Sequence, residues 1–371
     1  KTGTATRTKK QITDELDKIK TELYVYGGAD WLMVNLNTDR KNLPAALNLL
    51  DDILRHPKFD AAEFDKVIID TKADYEASRS EPSNVASVKL SKLTTKYPKG
   101  HPNYAADTDE SLDELNKVTL DDVKKYYNDF YGADHSVSSF VGEIDKKQVL
   151  TFLQNSLGKW KSKATYKEIE PKYFDISGTT EAINTPDKTN AALMGNINLN
   201  ISEKSTDYPA VFMANELLGG GAFLNSRIPQ RLRENEGMSY GAGTYVNTDY
   251  KYNVGNWGVY AYYNPLYQGR LDTALRQEID KAIKDGFTQD ELTKSVNSWL
   301  EQNKTLLGVN NVLANILREY LRNDRSLDDF TNKENKIKAL DLNSVNAALR
   351  KYFDLSKLVL IYAGDFQKKA F

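Results

Sequence analysis

Apolar residues recur along this chain with two periods, and each change of period marks an element boundary. In "TKKQITDELDKIKTEL" (8–23), Ile12, Leu16, Ile19 and Leu23 fall at helical spacing. "YVYGGADWLMVNLN" (24–37) predicts two strands around a Gly-Gly turn, and "LPAALNLLDDILRH" (43–56) predicts a helix stopped by Pro57. Asp60 with Glu63 three residues on forms a capping-box pattern that opens the helix over 60–80. A further helix from about Ser83 leads into the loop "YPKGHPNYAADTD", and "TLDDVKKYYNDFY" predicts another ahead of a strand in "HSVSSFVGEID" (135–145). Residues 158–178 are charged, contain one proline and carry no period, as a linker does. Beyond them come strands around 180–201, a helix at 207–218, the run "GGG", and a second helix. Strands in "YGAGTYVNTD" and "YNVGNWGVYAYY" follow, then helices over most of 266–353 and a closing strand in "KLVLIYAGDF".

The two halves of this pattern repeat. "VTLDDVKKYYNDFYGADHSVSSFVGEID" (118–145) aligns without a gap on "LDLNSVNAALRKYFDLSKLVLIYAGDFQ" (340–367), 222 positions later. Val123 falls on Val345, Tyr131 on Phe353, Val137 on Val359 and Gly142 on Gly364. "FDAAEFDK" (59–66) aligns on "FTQDELTK" (287–294) at an offset of 228. Two ordered matches at nearly equal offsets imply a duplicated α+β unit. The domains are then 1–157 and 179–371, joined by the linker.

Composition narrows the chemistry. At 371 residues the chain exceeds the usual span of one hydrophobic core, which agrees with two domains. The net charge is −2 with both signs interleaved, so no basic face recommends a nucleic-acid partner. Without cysteine, zinc-thiolate sites, disulfides and thiol nucleophiles are excluded. No apolar run reaches the ~20 residues that span a bilayer. The start "KTGTATRTKK", with neither Met nor a signal peptide, reads as a fragment or processed piece.

Three histidines, His56, His101 and His135, lie in separate contexts without the i+4 partner of a helical metal site. No metal ligand set is therefore assigned to this chain. No G-x-S-x-G occurs, and "GGGAFLNS" (219–226) lacks the Gly-Lys-Ser/Thr ending of a phosphate loop. Gly219, Gly220 and Gly221 instead permit tight bending or close approach to a ligand. "RLRENEGMSYGAG" (231–243) offers more: Arg233 at a helix end and Tyr240 at a strand start flank a short turn. A cation at a helix C-terminus and a tyrosine in a strand are each ordinary, so spacing alone leaves structural and functional roles open.

"LLGGGAFLNSRIPQRLRENEGMSYGAGTY" (217–245) resembles the second-domain signature of the pitrilysin/insulinase zinc metallopeptidases, the inverzincins. "GTATRTKKQITDELDKI", "HPKFDAAEFDKVI" and the stretch 111–145 are similar to that family's first domain, so the resemblance covers nearly the whole chain. It implies two tandem homologous α+β domains of the LuxS/processing-peptidase type, each a mostly antiparallel sheet packed with helices. In this family two such halves close around a peptide.

The family's zinc motif, H-x-x-E-H, lies just upstream of the Gly-Thr seen here as Gly3-Thr4, and so would fall before Lys1. Its distal glutamate aligns with Thr71, a poor ligand, with Asp70 beside it. The resemblance thus implies a non-catalytic half without zinc of its own. Zinc would come from a homologous partner half, in the same polypeptide or a separate subunit. Arg233 and Tyr240 match the family pair that grips peptide and stabilises the oxyanion, and Gly219–Gly221 would contact substrate, an unfolded peptide. Other readings are an assembly protein of the same fold and a truncated active peptidase. A bacterial periplasm or cell envelope is the compartment by family habit.

Overall fold

The computed structural model describes residues 2–221 and 226–367. The first copy of the repeat runs α1 (Lys9–Lys18), β1 (Glu22–Gly27), β2 (Leu32–Asn37), α2 (Leu43–Arg55), α3 (Ala61–Ser78), α4 (Pro82–Thr94), α5 (Thr108–Leu115), α6 (Leu120–Phe130) and α7 (Lys146–Asn155). The second runs β3 (Thr179–Asn184), β4 (Ala191–Leu199) and α8 (Tyr208–Asn215), which continues as a π-helical turn over Glu216–Gly220. Then come α9 (Arg227–Pro229), prolonged by a π-helical segment over Gln230–Asn235, β5 (Ser239–Thr248) and β6 (Gly255–Tyr263). Helices α10 (Gln268–Asp285), α11 (Gln289–Leu307), α12 (Asn310–Arg322), α13 (Leu327–Lys338) and α14 (Leu342–Tyr352) precede β7 (Val359–Gly364). The fold is α+β.

The repeat survives in three dimensions. Helix α6 begins 222 residues before α14, while α3 and α4 begin 228 residues before α11 and α12. By contact the chain divides into unit 1 (1–75, 109–169, 307–322) and unit 2 (76–108, 170–306, 323–371). The units interleave. Helix α4 of the first copy belongs to unit 2, and its counterpart α12 of the second copy belongs to unit 1.

Unit 2 is built on a five-stranded sheet in the order β3-β7-β4-β6-β5. Only β3 and β7 are parallel; the remaining pairs are antiparallel. All six residues of β7 are buried, because both faces are covered. Val359, Ile361 and Ala363 meet Ala86 and Leu90 of α4. Leu360 and Tyr362 point into a core with Trp257, Tyr263 and Phe353. A strand buried on both faces reads as a continuous apolar run, which is what "VLIYA" shows.

Unit 1 holds the hairpin β1–β2, with Leu23 opposite Leu36 and Val25 opposite Val34. These four side chains lie on Ile12 and Leu16 of α1 and on Leu49, Leu50 and Leu54 of α2. Thr8 and Gln11 cap α1 reciprocally. Near the chain start, Thr4, Thr6 and Arg7 all donate to Asp52 Oδ2, at 2.6, 3.0 and 2.7 Å.

Two local expectations are corrected. The first helix does not extend over 8–23; it stops at Lys18, Lys20 turns into the left-handed region at φ 49, and Leu23 joins β1. The strand expected in 135–145 is absent: none of those residues pairs in a ladder among the described residues. Its counterpart β7 is held between β3 and β4, and unit 1 has no described strand equivalent to either. An extended segment becomes a strand only when a neighbour accepts its backbone groups.

Candidate functional site

Arg233 and Tyr240 flank one tight turn in unit 2. Ile228 and Leu232, both fully buried, anchor the helix that carries Arg233. At its end Gly237 N–H donates to the Arg233 carbonyl (3.0 Å) and Met238 N–H to that of Leu232 (3.0 Å). Gly237 takes φ +60, a left-handed conformation that favours glycine and terminates the helix. The π-helical turn over Gln230–Asn235 is a rare geometry that re-aims side chains and clusters at functional sites. Arg231 is tied down by Glu236, which Arg270 also approaches at 3.5 Å. Arg233 lies half exposed, with the Glu234 carboxylate 3.8 Å away.

Tyr240 leaves the sheet at a bulge. Ser239 pairs with Tyr263 and Gly241 with Tyr262, so Tyr240 is the extra residue in β5. Ser239 Oγ fixes the irregularity: it accepts from Gly241 N–H (3.1 Å) and shares its one proton between the carbonyls of Gly241 (2.8 Å) and Tyr262 (2.9 Å). Bulges of this kind turn one side chain out of the ladder, and Tyr240 is 63 % exposed. Beyond it, Tyr262, Tyr260 and Tyr245 stand opposite Gly241, Gly243 and Gly258. The Tyr245 ring lies over Gly258 and the Tyr260 hydroxyl over Gly243, so glycine makes room for rings laid across the sheet, of which Tyr245 and Tyr262 are exposed.

Gly219, Gly220 and Gly221 sit beside that face for reasons of space. A Cβ on Gly219 would lie 2.8 Å from the Thr244 side chain, and one on Gly221 2.7 Å from the Glu216 carbonyl. At Gly219 the π-helical turn therefore approaches β5 more closely than any larger residue allows, whereas Gly221, just past the turn, is crowded by the turn's own backbone. Burial raises the pKa of the neighbouring Glu216, against the opposing hydrogen bond from Asn215. Residues 222–225, within the same quoted motif, lie outside the described residues.

One residue pair essential to this geometry went unremarked in the sequence. Arg227 Nε and Nη2 bind both oxygens of Glu291, at 2.8 and 2.9 Å, and Nη2 also donates to the Gly286 carbonyl. Glu291 in turn accepts from Thr288 N–H at the start of α11. This clamp ties the helix bearing Arg233 to α11. Burial works to raise the Glu291 pKa, but the bonds from Arg227 and Thr288 outweigh it and hold it below the usual value. The signal was visible as the Thr-x-x-Glu box of "FTQDELTK", and only the tertiary partner was hidden.

Comparison with known proteins converges on one family. The model of the insulinase family (peptidase family M16) matches residues 1–106, and that of the peptidase M16 inactive domain matches residues 117–298. The chain belongs to peptidase family M16. This M16 chain is 23 % identical over 359 residues to the uncharacterized zinc protease YmxG of Bacillus subtilis, covering 95 % of this chain and 83 % of that protein. An uncharacterized zinc protease of Rickettsia felis is 23 % identical over 297 residues, covering 79 % of this chain and 68 % of the relative. A peptidase M16 inactive domain from Pseudomonas fluorescens superposes with TM-score 0.82 at 20 % identity, covering 98 % of this chain and 85 % of that one. The periplasmic protease PqqL of Escherichia coli superposes with TM-score 0.71 at 11 % identity, over 97 % of this chain and 39 % of its own.

Relatives of this M16 chain are named zinc proteases, but the described residues of the chain itself gather no donor set that fits zinc. His56 ends α2, and its carbonyl accepts from Ala5 N–H at 2.8 Å. His101 stacks on Tyr97 at 4.4 Å, with Nδ1 accepting from Asn103 N–H. His135 lies 5.1 Å from the Tyr166 ring. Among the described residues no group of three or more His, Asp or Glu is placed to hold a metal ion. Asp70 is exposed and Thr71 half-buried on α3, neither within such a group.

Proposed function

We propose that this chain is the non-zinc half of a two-half zinc metalloprotease. It closes a chamber around unfolded peptides and supplies Arg233 and Tyr240 to a zinc centre on a homologous half, in the same polypeptide or a separate subunit. The observation that carries the reading is the bulge at Ser239–Gly241, which spends a sheet position to turn a tyrosine outward immediately after the Arg233 turn. Core packing has no use for an outward tyrosine there. The partner's zinc would polarise the scissile carbonyl and its water. Within this chain, the Arg233 guanidinium donates to peptide carbonyls, and the Tyr240 hydroxyl donates to the oxygen on which charge develops. The exposed rings of Tyr245 and Tyr262 on β5 and β6 receive extended peptide, and the backbone of Gly219–Gly221 adds a secondary contact. Residues 1–157 and 179–371 act as the two domains of this half, with 158–178 between them. No described helix is long and apolar enough to cross a membrane, and a bacterial periplasm or cell envelope is the compartment we favour.

Turnover of an unfolded peptide by the assembled two-half enzyme tests this. Arg233→Ala and Tyr240→Phe should each lower kcat by on the order of 10²-fold, the usual cost of one oxyanion donor. Unchanged kinetics would return both residues to ordinary helix-end and strand roles. Metal analysis of the isolated chain should find no stoichiometric zinc, and one tightly held zinc per chain would refute the assignment.

A further inference from the structure

Glu216 and Glu291 are both half-buried in unit 2, and they differ in what answers their charge. Glu291 accepts from Arg227 Nε and Nη2 and from the Thr288 N–H and hydroxyl. Glu216 accepts from Asn215 Nδ2 at 3.3 Å and forms no ion pair among the described residues. Asn215 is 3 % exposed, and its Oδ1 has no donor among the described residues. An ionised carboxylate and an amide oxygen are both acceptors, so neither satisfies the other. A protonated carboxyl does: Nδ2 donates to one carboxyl oxygen while the hydroxyl on the other donates to Oδ1. Turning the amide over brings Oδ1 itself against Glu216, where again only a protonated acid donates.

The surroundings supply no cation that would hold the ion. Helix α8 contributes Tyr208, and α13 contributes Lys333, whose ammonium lies over the Tyr208 and Phe212 rings at 5.4 and 5.2 Å. Strand β5 carries no charged side chain and turns Thr244 to this place, and Arg227 of α9 is engaged with Glu291. Burial favours the neutral form of Glu216 more than Asn215 and Lys333 favour the ion.

The two side chains also underlie the glycine turn. Thr244 Oγ1 donates to the Asn215 carbonyl (3.4 Å), and Gly221 N–H donates to the Glu216 carbonyl (2.9 Å). A Cβ on Gly220 would lie 2.1 Å from Asn215 Nδ2 and 2.8 Å from Glu216 Oε1, so the turn rests directly on both.

We propose that Glu216 pairs with Asn215 as a carboxylic acid, donating its proton to Oδ1, and that this acid–amide pair positions the Gly219–Gly221 turn against β5. When the proton leaves for solvent, carboxylate and amide oxygen are set against each other under Gly220, and the turn loosens. Glu216 binds its proton more tightly folded than unfolded. Its contribution is therefore complete below the unfolded value of 4.5 and is lost as pH rises through the folded one, opposite in sign to Glu291. The pair stands independently of the peptidase reading; its effect on substrate rests on that reading, through the glycine contact.

Infrared and hydrogen-exchange measurements on the full chain test it. The difference spectrum of parent minus Glu216→Gln should show one protonated-carboxyl stretch that persists above about pH 5.5, where ordinary glutamates have ionised, and vanishes at higher pH. Across that step the Gly219, Gly220 and Gly221 amides, corrected for intrinsic rate, should exchange on the order of 10-fold faster in the parent. Glu216→Gln keeps a donor for Asn215 Oδ1 at every pH and should hold these amides at the slow rate throughout. β7 stays protected in both chains, as the control for folding. No such stretch above about pH 5.5, parent exchange that is flat with pH, or the same acceleration in Glu216→Gln would each overturn the proposal. In the assembled enzyme, KM for an unfolded peptide should rise a few-fold across the step in the parent and stay level in Glu216→Gln, with kcat unmoved. A level parent KM beside a clear exchange step would remove the glycine contact from the peptidase reading and leave the acid–amide pair standing.

Discussion

Helices α6 and α14 open with the same chemistry and end in opposite surroundings. Thr119 caps the first by accepting from Asp122 N–H, and Asp341 caps the second by accepting from Ser344 N–H. Each then presents an apolar stripe with valine at the same position. In unit 2 that stripe is sealed under α8; in unit 1 it faces outward. Caps and periodicity decide that a helix forms, and its covering decides how much stability it contributes. The same lesson separates β7 from 137–142, whose patterns align and whose ladders do not.

The sharpest way to break this comparison is to place a charge at the two valines. Val345→Asp places an unpaired carboxylate in a fully buried site, so unit 2 should lose about 4 kcal/mol or more. Val123→Asp alters an exposed site and should cost under about 1 kcal/mol. Denaturant unfolding, with β7 exchange reporting on unit 2, measures both. Equal losses would mean that α6 is already covered.

Arginines offer a second contrast, of intermediate size. Arg227→Ala strands Glu291 in a half-buried place and removes the cation from above the Phe287 ring, 4.8 Å away. The expected destabilisation is about 2–3 kcal/mol. Arg233→Ala, only six residues on and half exposed, should change stability by less than about 0.5 kcal/mol. Its effect should appear in turnover instead. A large stability loss at Arg233 would assign it to the framework.

Much of this was legible in the chain. The offsets of 222 and 228 recover helix pairs whose starts differ by those same intervals, and the turn between Arg233 and Tyr240 follows from Gly237. Family membership was written in the motif at 217–245. Three things were not legible, and each is tertiary. Local pattern does not reveal that α4 and α12 belong to the unit opposite their own copy. Nor does it show that Tyr240 is bulged, because the bulge depends on Ser239 reaching across to the Tyr262 carbonyl. Nor does it show that 137–142 lacks partners, since its own residues read as a strand.

Acid separates the units most gently. Asp52 in unit 1 and Glu291 in unit 2 both sit below their usual pKa values of 3.8 and 4.5. For Asp52, burial again works upward and is outweighed by the bonds from Thr4, Arg7 and Thr6. A carboxyl with a depressed folded pKa binds fewer protons folded than unfolded, so stability falls as pH falls. Each contribution is complete above the unfolded value and is lost as pH drops through the folded one. Glu291 therefore begins to fail below 4.5 and Asp52 only below 3.8. Unfolding free energies of Glu291→Gln and Asp52→Asn, each subtracted from those of the parent chain, isolate the two groups. The Glu291 difference should be constant at neutral pH and shrink first on acidification, followed by the Asp52 difference. Differences that stay flat throughout would show that neither carboxylate is held more tightly in the folded chain than in the unfolded one.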